Sequence, residues 1–340
     1  MTTWELTIDD MRLTDSLLDC ETSIRQSSVV NRQSQVHAVL TDAVRVRELI
    51  AVLHACEEAG ATPLVFKGAA LAHTHYAESW QRPRADADVL IAPESRERVF
   101  AVLRRLSYQQ PTFISGDLVM YQAPFDRVDH LGIEHVLDIH WRIANPQVVS
   151  QVLTHDELVK RSVIARVQDF AMRVPSAVDS LLIACVHRAA HHPDVEQPYW
   201  IEDIHLLASR LGPSEWQALA ARAANRSIRA LCLQGLRRAE ALFQTALPLD
   251  VVTTLSEHTS EASAVFLRSD LRPVDRLAAD LRALGPLGAA RLLREHFLPP
   301  AHYMQAKYGV TSRVSLPAYY ASRVLNGIRK WWRPYVSAAR

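Results

Sequence analysis

Three short stretches carry side chains whose types and spacing could do chemistry together: Lys67-Gly68, Asp86-Ala87-Asp88, and a lone Asp138 inside GIEHVLDIHWRI (132–143). Two acids separated by one residue point to the same side of an extended strand, so Asp86 and Asp88 can grip one cation or a pair of cations. Magnesium prefers hard oxygen ligands and keeps open positions for phosphate oxygens and water. A third carboxylate on a neighbouring strand, Asp138, would complete a two-metal site. In such a site one ion lowers the pKa of an attacking hydroxyl and the other steadies a leaving pyrophosphate. The Lys67-Gly68 turn leads into a helix N-terminus, where free backbone N–H groups and the helix dipole favour a triphosphate.

The elements that must position these groups can be read from apolar spacing. From Val36 to Glu58 apolar residues recur at intervals of three and four (Val39, Leu40, Val44, Val46, Leu49, Ile50, Leu53), an amphipathic helix closed by Gly60 with Pro63 beyond. PLVFKG (63–68) reads as a short buried strand ending in a sharp turn, and residues 69–76 tolerate helix. The stretch 78–84 is a polar loop containing Pro83, residues 86–92 form a second strand, and Pro93 starts a helix running through Leu106. Residues 108–126 and 133–143 predict two or three antiparallel strands, with a turn at Ser115-Gly116-Asp117. On the last strand Val136, Asp138, His140 and Arg142 share one face, while Leu137, Ile139, Trp141 and Ile143 share the core face. Asp138 is therefore expected to look into a cleft.

From Ser150 onward almost everything reads as helix: 155–161, 176–192, 199–211, 214–224, 227–245 and 274–297, with breaks at Pro175, Pro193, Pro213, Pro248 and Pro273. The fold expectation is α+β. It comprises a small mixed or antiparallel sheet flanked by helices, followed by an α-helical C-terminal domain. The expected boundaries are an N-terminal helical segment at 1–35, a catalytic domain at 36–148 and a helical domain at 149–340.

These residues also resemble a family. FKGAALAHTHYAESWQRPRADADVLI (66–91) is similar to the bacterial nucleotidyltransferase family of the DNA polymerase β-like superfamily, whose pattern is Lys-Gly, a small and an apolar residue, Tyr, Arg, then Asp-x-Asp. EHVLDIHWRI (134–143) resembles that family's later strand, and LLIACVHRAAHH (181–192) with WIEDIHLL (200–207) resembles its first C-terminal helices; the likeness covers roughly 45–210. The resemblance implies transfer of a nucleoside monophosphate from a nucleoside triphosphate, with ATP the expected donor, to a hydroxyl or similar acceptor. It further implies that Asp86, Asp88 and Asp138 hold two Mg2+ ions, that Gly68 lies under the phosphates, and that Asp138 could receive the acceptor's proton. One departure is Ala69, also a candidate neighbour of the phosphates, which stands where the superfamily usually has Gly or Ser. Lys67 and Arg84 are the expected compensating phosphate ligands, Arg84 being preferred over Arg82, which reads as a loop cation. Lys67 reads equally well as a surface lysine ending its strand.

Other polar groups are open to blander readings. His140 could carry a proton, but beside Trp141 it reads first as a hydrogen-bonded structural histidine. His187 and His191 share a helix face, yet HRAAH lacks the Glu of a zinc protease and His192-Pro193 lacks the His-Asp of a phosphohydrolase. His187 and Asp203, with His140, are instead candidates to line the cleft. The basic, aromatic tail (Arg329, Lys330, Trp331, Trp332, Arg333) reads as a terminal helix docking its tryptophans, with an RNA or membrane surface as the alternative.

Bulk properties narrow the partners. A formal net charge of +1 offers no global attraction for DNA, so a small molecule, peptide or protein is the expected acceptor. A toxin-like enzyme modifying tRNA stays open because Arg222, Arg226, Arg229, Arg237 and Arg238 could face the cleft, and a degenerate nucleotide-binding scaffold is the third reading. Cys20, Cys56, Cys185 and Cys232 are too dispersed for a zinc knuckle or a disulfide scaffold. With no basic start and apolar run at the N-terminus, and no apolar stretch near the roughly 18 residues of a membrane span, a cytoplasmic protein is expected.

Overall fold

Short apolar runs flanked by turn residues build the sheet. The computed structural model describes residues 35–110, 116–191, 197–257, 261–310 and 312–331. By internal contacts the chain divides into Met1–Glu48 and Leu49–Arg340. Residues 35–58 are helical (α1), and the described part of the first unit, 35–48, belongs to that helix. Residues 1–34 of the expected N-terminal segment 1–35, with Cys20, and Ser115, His192-Pro193, Trp332 and Arg333 lie outside the described residues, as do the side chains from Ile328 onward. All that follows concerns the second unit.

Four strands, β1 (Leu64–Phe66), β2 (Asp86–Leu90), β3 (Gln122–Val128) and β4 (Glu134–His140), form one sheet in the order β1-β2-β4-β3. β2 and β4 run parallel, whereas β1–β2 and β3–β4 are antiparallel, so the sheet is mixed. Antiparallel β3 and β4 are joined by a short turn, while the parallel β2–β4 pair needs a crossover, supplied by α3 (Arg96–Arg105) and β3. Helix α3 buries Val99, Phe100, Val102 and Leu103 and leaves its arginines outside, which is the amphipathic stripe that its sequence carries. Helix α2 (Lys67–Thr74) follows β1 directly.

After the sheet come α4 (Gln147–Ser150) and α5 (His155–Lys160), then a second hairpin, β5 (Val163–Val167) with β6 (Phe170–Val174). This hairpin corrects the helix-only reading of the region. Met172 and Val174 are buried while Arg173 between them is not, a period of two that marks a strand. Its two-residue turn places Gln168 at φ 53, the left-handed geometry that tight hairpins demand; Gln-Asp is a weak signal for it beside Asn-Gly.

Helices α6 (Ala177–Ala190), α7 (Pro198–Ala208), α8 (Pro213–Asn225), α9 (Arg229–Phe243) and α10 (Leu249–Ser256) pack next. Their starts follow local chemistry. The Ser176 side chain accepts a hydrogen bond from the Asp179 N–H, and Pro198 and Pro213 occupy first-turn positions where no N–H is needed. Helix α11 (Pro273–Phe297) is not the single straight helix that its spacing suggests: Gly285 at φ 68, followed by Pro286, kinks it. α12 (Ala301–Tyr308) and α13 (Leu316–Trp331) complete the chain.

Leu64, Phe66 and Leu90 of the sheet share one buried cluster with Leu181, Leu182, Ile201, Leu219 and Leu236 of the helices. The helices are thus held against the β1–β2 end of the sheet, and a cleft opens at that junction. Cys56, Cys185 and Cys232 are buried and unbridged. Among the described residues no helix is long and apolar enough to cross a membrane.

Candidate active site

Parallel pairing of β2 with β4 places Asp88 directly opposite Asp138, with Asp86 two residues earlier on the same strand and opposite Val136. Side chains two apart on a strand share a face, so the three carboxylates belong to one surface of the sheet. All three line a cavity of about 380 Å³. Its sheet side includes Lys67, Gly68, Arg82, Arg84 and Gln122, and its helical side is made by Ser180, His187 and His191 of α6 and its C-terminal end and by Tyr199, Trp200 and Asp203 of α7. His187 and Asp203 therefore lie at the cavity.

The carboxylates differ in environment. Asp88 is 8% exposed; the Lys67 ammonium donates to its Oδ1 at 2.6 Å, and His140 Nε2 lies 2.9 Å from the same oxygen. Burial pushes the Asp88 carboxyl up, but Lys67 and His140 outweigh it and hold it well below the usual carboxylate range. Among the described residues Asp138 makes no ion pair, and the Lys67 charge only partly offsets what raises it. Burial first, then the charges of Asp88 and Asp86, pushes its carboxyl up to about 6, and Gln122 Nε2 donates to its Oδ2 at 2.9 Å. Asp86 is raised as well, by burial and then by Asp88.

His140 is fully buried and does not line the cleft; it reaches the site through Asp88. Burial, then the Lys67 charge, lowers its pKa to about 4, so it is neutral at physiological pH. One ligand atom from each of Asp88, Asp138 and His140 falls within 4.8 Å of the others. Carboxylate oxygens crowded enough to raise each other's proton affinity are a donor set that suits a hard divalent cation, which would relieve the same repulsion.

The turn before α2 departs from expectation in an informative way. The backbone strain falls on Lys67, at φ 52, and not on Gly68. A non-glycine residue there costs on the order of 1 kcal/mol, so the chain accepts strain in the residue that delivers the ammonium to Asp88. Gly68 sits in a crowded spot: a Cβ there would lie 3.2 Å from Arg82 Nη2. Ala69, considered a phosphate neighbour, is 1% exposed and does not line the cavity. The first turn of α2 carries no side-chain cap and no acid.

Arg82 lines the cavity together with Arg84. It is 5% exposed, and Asp203 holds it by two hydrogen bonds, from Nε at 2.8 Å and from Nη2 at 2.7 Å. Tyr76 donates to Asp203 Oδ1 at 2.8 Å, and the Arg82 guanidinium lies 4.3 Å from the Tyr199 ring centroid. Arg82 is thus a built part of the wall. Arg84 also lines the cavity, half-buried, with Nη1 donating to the Ser79 carbonyl at 2.9 Å. Arg82 and Asp203 are 121 residues apart, and nothing in the linear order pairs them.

His187 and His191 have ring centroids 5.1 Å apart, and His187 meets Trp200 edge-on at 5.6 Å. The Asn145 N–H donates to His191 Nε2 at 3.3 Å, and burial keeps that imidazole's pKa well below its usual value. The arginines that kept the tRNA reading open do not line the cavity. Arg222 donates to Asp179, Arg226 to Glu157, Arg229 to Glu261 and Arg237 to Glu240.

Residues 27–244, more than half of the chain, match the family described as "Uncharacterised nucleotidyltransferase". No protein of curated function matches. Among solved structures the chain is similar to the antibiotic-resistance factor ANT(2'')-Ia, determined in solution, at 19% identity over 58% of this chain and 98% of that one, with a TM-score of 0.40. That likeness is too distant to bear on the site. The family match spans β1 through α9, and with it all the residues gathered around the cavity, so the chain belongs to this family and is a nucleotidyltransferase.

Proposed function

We propose that the chain transfers a nucleoside monophosphate from a nucleoside triphosphate, with ATP the expected donor, to a hydroxyl of a small molecule, peptide or protein. One observation carries this reading: Asp88 and Asp138 stand opposite each other on parallel strands, inside a cavity that also holds Asp86 and the Lys67-Gly68 turn. Asp86, Asp88 and Asp138 would hold Mg2+, two ions being expected. When bound, the metal would polarise the phosphate and acidify the attacking hydroxyl. Lys67, Gly68 and Arg84 would receive the phosphates, the lysine as a mobile point charge and the arginine as a fork. Asp138, whose carboxyl has raised proton affinity and makes no ion pair among the described residues, is suited to accept the acceptor's proton. His187, Tyr199 and Trp200 would shape the side of the cleft that the acceptor enters.

A small acceptor is favoured over tRNA because Arg222, Arg226, Arg229 and Arg237 pair with acids away from the cavity. The test is incubation with each labelled nucleoside triphosphate, Mg2+ and a cell extract, followed by identification of the labelled product. Label should pass to one class of molecule and should be lost with Asp86→Asn or Asp88→Asn. Transfer undiminished in either variant would refute the metal roles.

A further inference from the structure

We propose that Lys67 is a resident cation standing in for the metal at Asp88, so that a divalent ion competes for that carboxylate only weakly until a triphosphate draws the lysine away. The inference rests on the metal-and-triphosphate reading above and adds a rule for the order of events.

Lys67 Nζ lies 2.6 Å from Asp88 Oδ1 and 3.4 Å from His140 Nε2, while His140 Nε2 itself lies 2.9 Å from that oxygen. The ammonium therefore occupies the space beside the one Asp88 oxygen that two groups already contact. Both side chains are nearly out of water, at 10% and 11% exposure, so solvent does little to loosen the pair. A divalent ion and an ammonium at the same oxygen would repel each other strongly in such surroundings.

The lysine has somewhere to go. It lines the same cavity as Gly68 and Arg84, on the first residue of α2, and its four-carbon stem can swing through that space. Arg82 cannot, because Asp203 holds it on two atoms. Without phosphate, a metal that displaced Lys67 would leave the ammonium partly buried and unpaired, a costly state. With a triphosphate in the cavity the ammonium exchanges one anion for another. Metal and polyphosphate then assist each other's binding through Lys67, beyond what their direct contact provides. The left-handed backbone at Lys67 fits this role, since strain at one residue is the cost of aiming the ammonium at Asp88.

The experiment uses the full chain, with Mn2+ alone followed by electron paramagnetic resonance, and inorganic triphosphate alone in the presence of a chelator followed by calorimetry. Lys67→Met, which keeps the length of the side chain and removes its charge, should bind Mn2+ about tenfold more tightly than the wild type and inorganic triphosphate about tenfold more weakly. A lysine that served only to hold the fold would weaken both. Lys67→Gln provides a second variant should the first fold poorly. In the wild type, mass spectrometry after acetic anhydride treatment should find Lys67 protected in metal-free protein, more reactive with saturating Mn2+, and protected again with Mn2+ and ATP together. Mn2+ affinity equal to or below wild type in both variants, at unchanged Tm, overturns the proposal, as does Lys67 reactivity that ignores Mn2+. A wild-type chain that binds neither Mn2+ nor its ATP complex brings down the metal-site reading and this proposal with it.

Discussion

The Arg82 guanidinium lies over Gly68, so close that a Cβ at Gly68 would come within 3.2 Å of Nη2. Because Asp203 fixes Arg82 on two atoms, the arginine cannot give way freely, and Gly68→Ala must push either it or the turn aside. The expected cost is about 1 kcal/mol of stability, with a several-fold rise in KM for the nucleotide. Urea unfolding and steady-state kinetics on one preparation would check both, and wild-type values in both assays would show that the contact is of no consequence.

Removing the partner of a buried charge costs more than removing a neutral donor. Asp203→Asn leaves Arg82 buried without a counter-charge and is expected to destabilise the chain by about 3–5 kcal/mol. Tyr76→Phe removes a single hydrogen bond to a carboxylate that Arg82 still satisfies, at about 1–2 kcal/mol. Chemical denaturation of the two variants should therefore rank them in that order, and a reversed ranking would contradict the ion pair as described.

Asp138 links activity and stability with opposite signs. Its carboxyl is raised to about 6, above the roughly 3.9 of an unfolded aspartate, so the folded, metal-free protein prefers it protonated. The sign follows. Stability falls as pH rises from about 4 to 6, and above 6 the ionised carboxylate weighs against the fold. Asp138→Asn should therefore raise metal-free stability at pH 8 by about 1–2 kcal/mol, after allowance for screening, while abolishing transfer. Metal affinity in the wild type should drop as pH falls through about 6, because protons compete for the same oxygens. Thermal melts from pH 4 to 8 with and without Mn2+ would show both trends, and a destabilised Asp138→Asn at pH 8 would argue against the repulsion.

Three carboxylates around one cavity make a further prediction about ligands. Mg2+ and a nucleoside triphosphate added together should raise Tm well above either alone, and at a hundredfold excess over Kd the stabilisation should be about 2.7 kcal/mol. Asp88→Asn should lose most of that gain. Differential scanning fluorimetry over a ligand series measures it directly, and an unchanged Tm at saturating ligand would tell strongly against the site.

Local chemistry was legible where it depends on neighbours in the chain. The alternation in Asp86-Ala87-Asp88, the polar face that carries Asp138, the short buried run before Lys67 and the proline-started helices each follow from a period or a cap within a few residues. Strand and helix periodicities are local rules, and so they survive in the linear order. What only the tertiary structure decided depends on pairing across long separations. Register sets Asp88 against Asp138, and the packing of α7 brings Asp203 to Arg82, which made Arg82 a wall of the cavity and not the loop cation that its surroundings in sequence suggest. Space, too, is invisible in a sequence. Gly68 reads as the residue that bends the turn, yet the left-handed bend falls at Lys67, and at Gly68 a side chain would crowd Arg82.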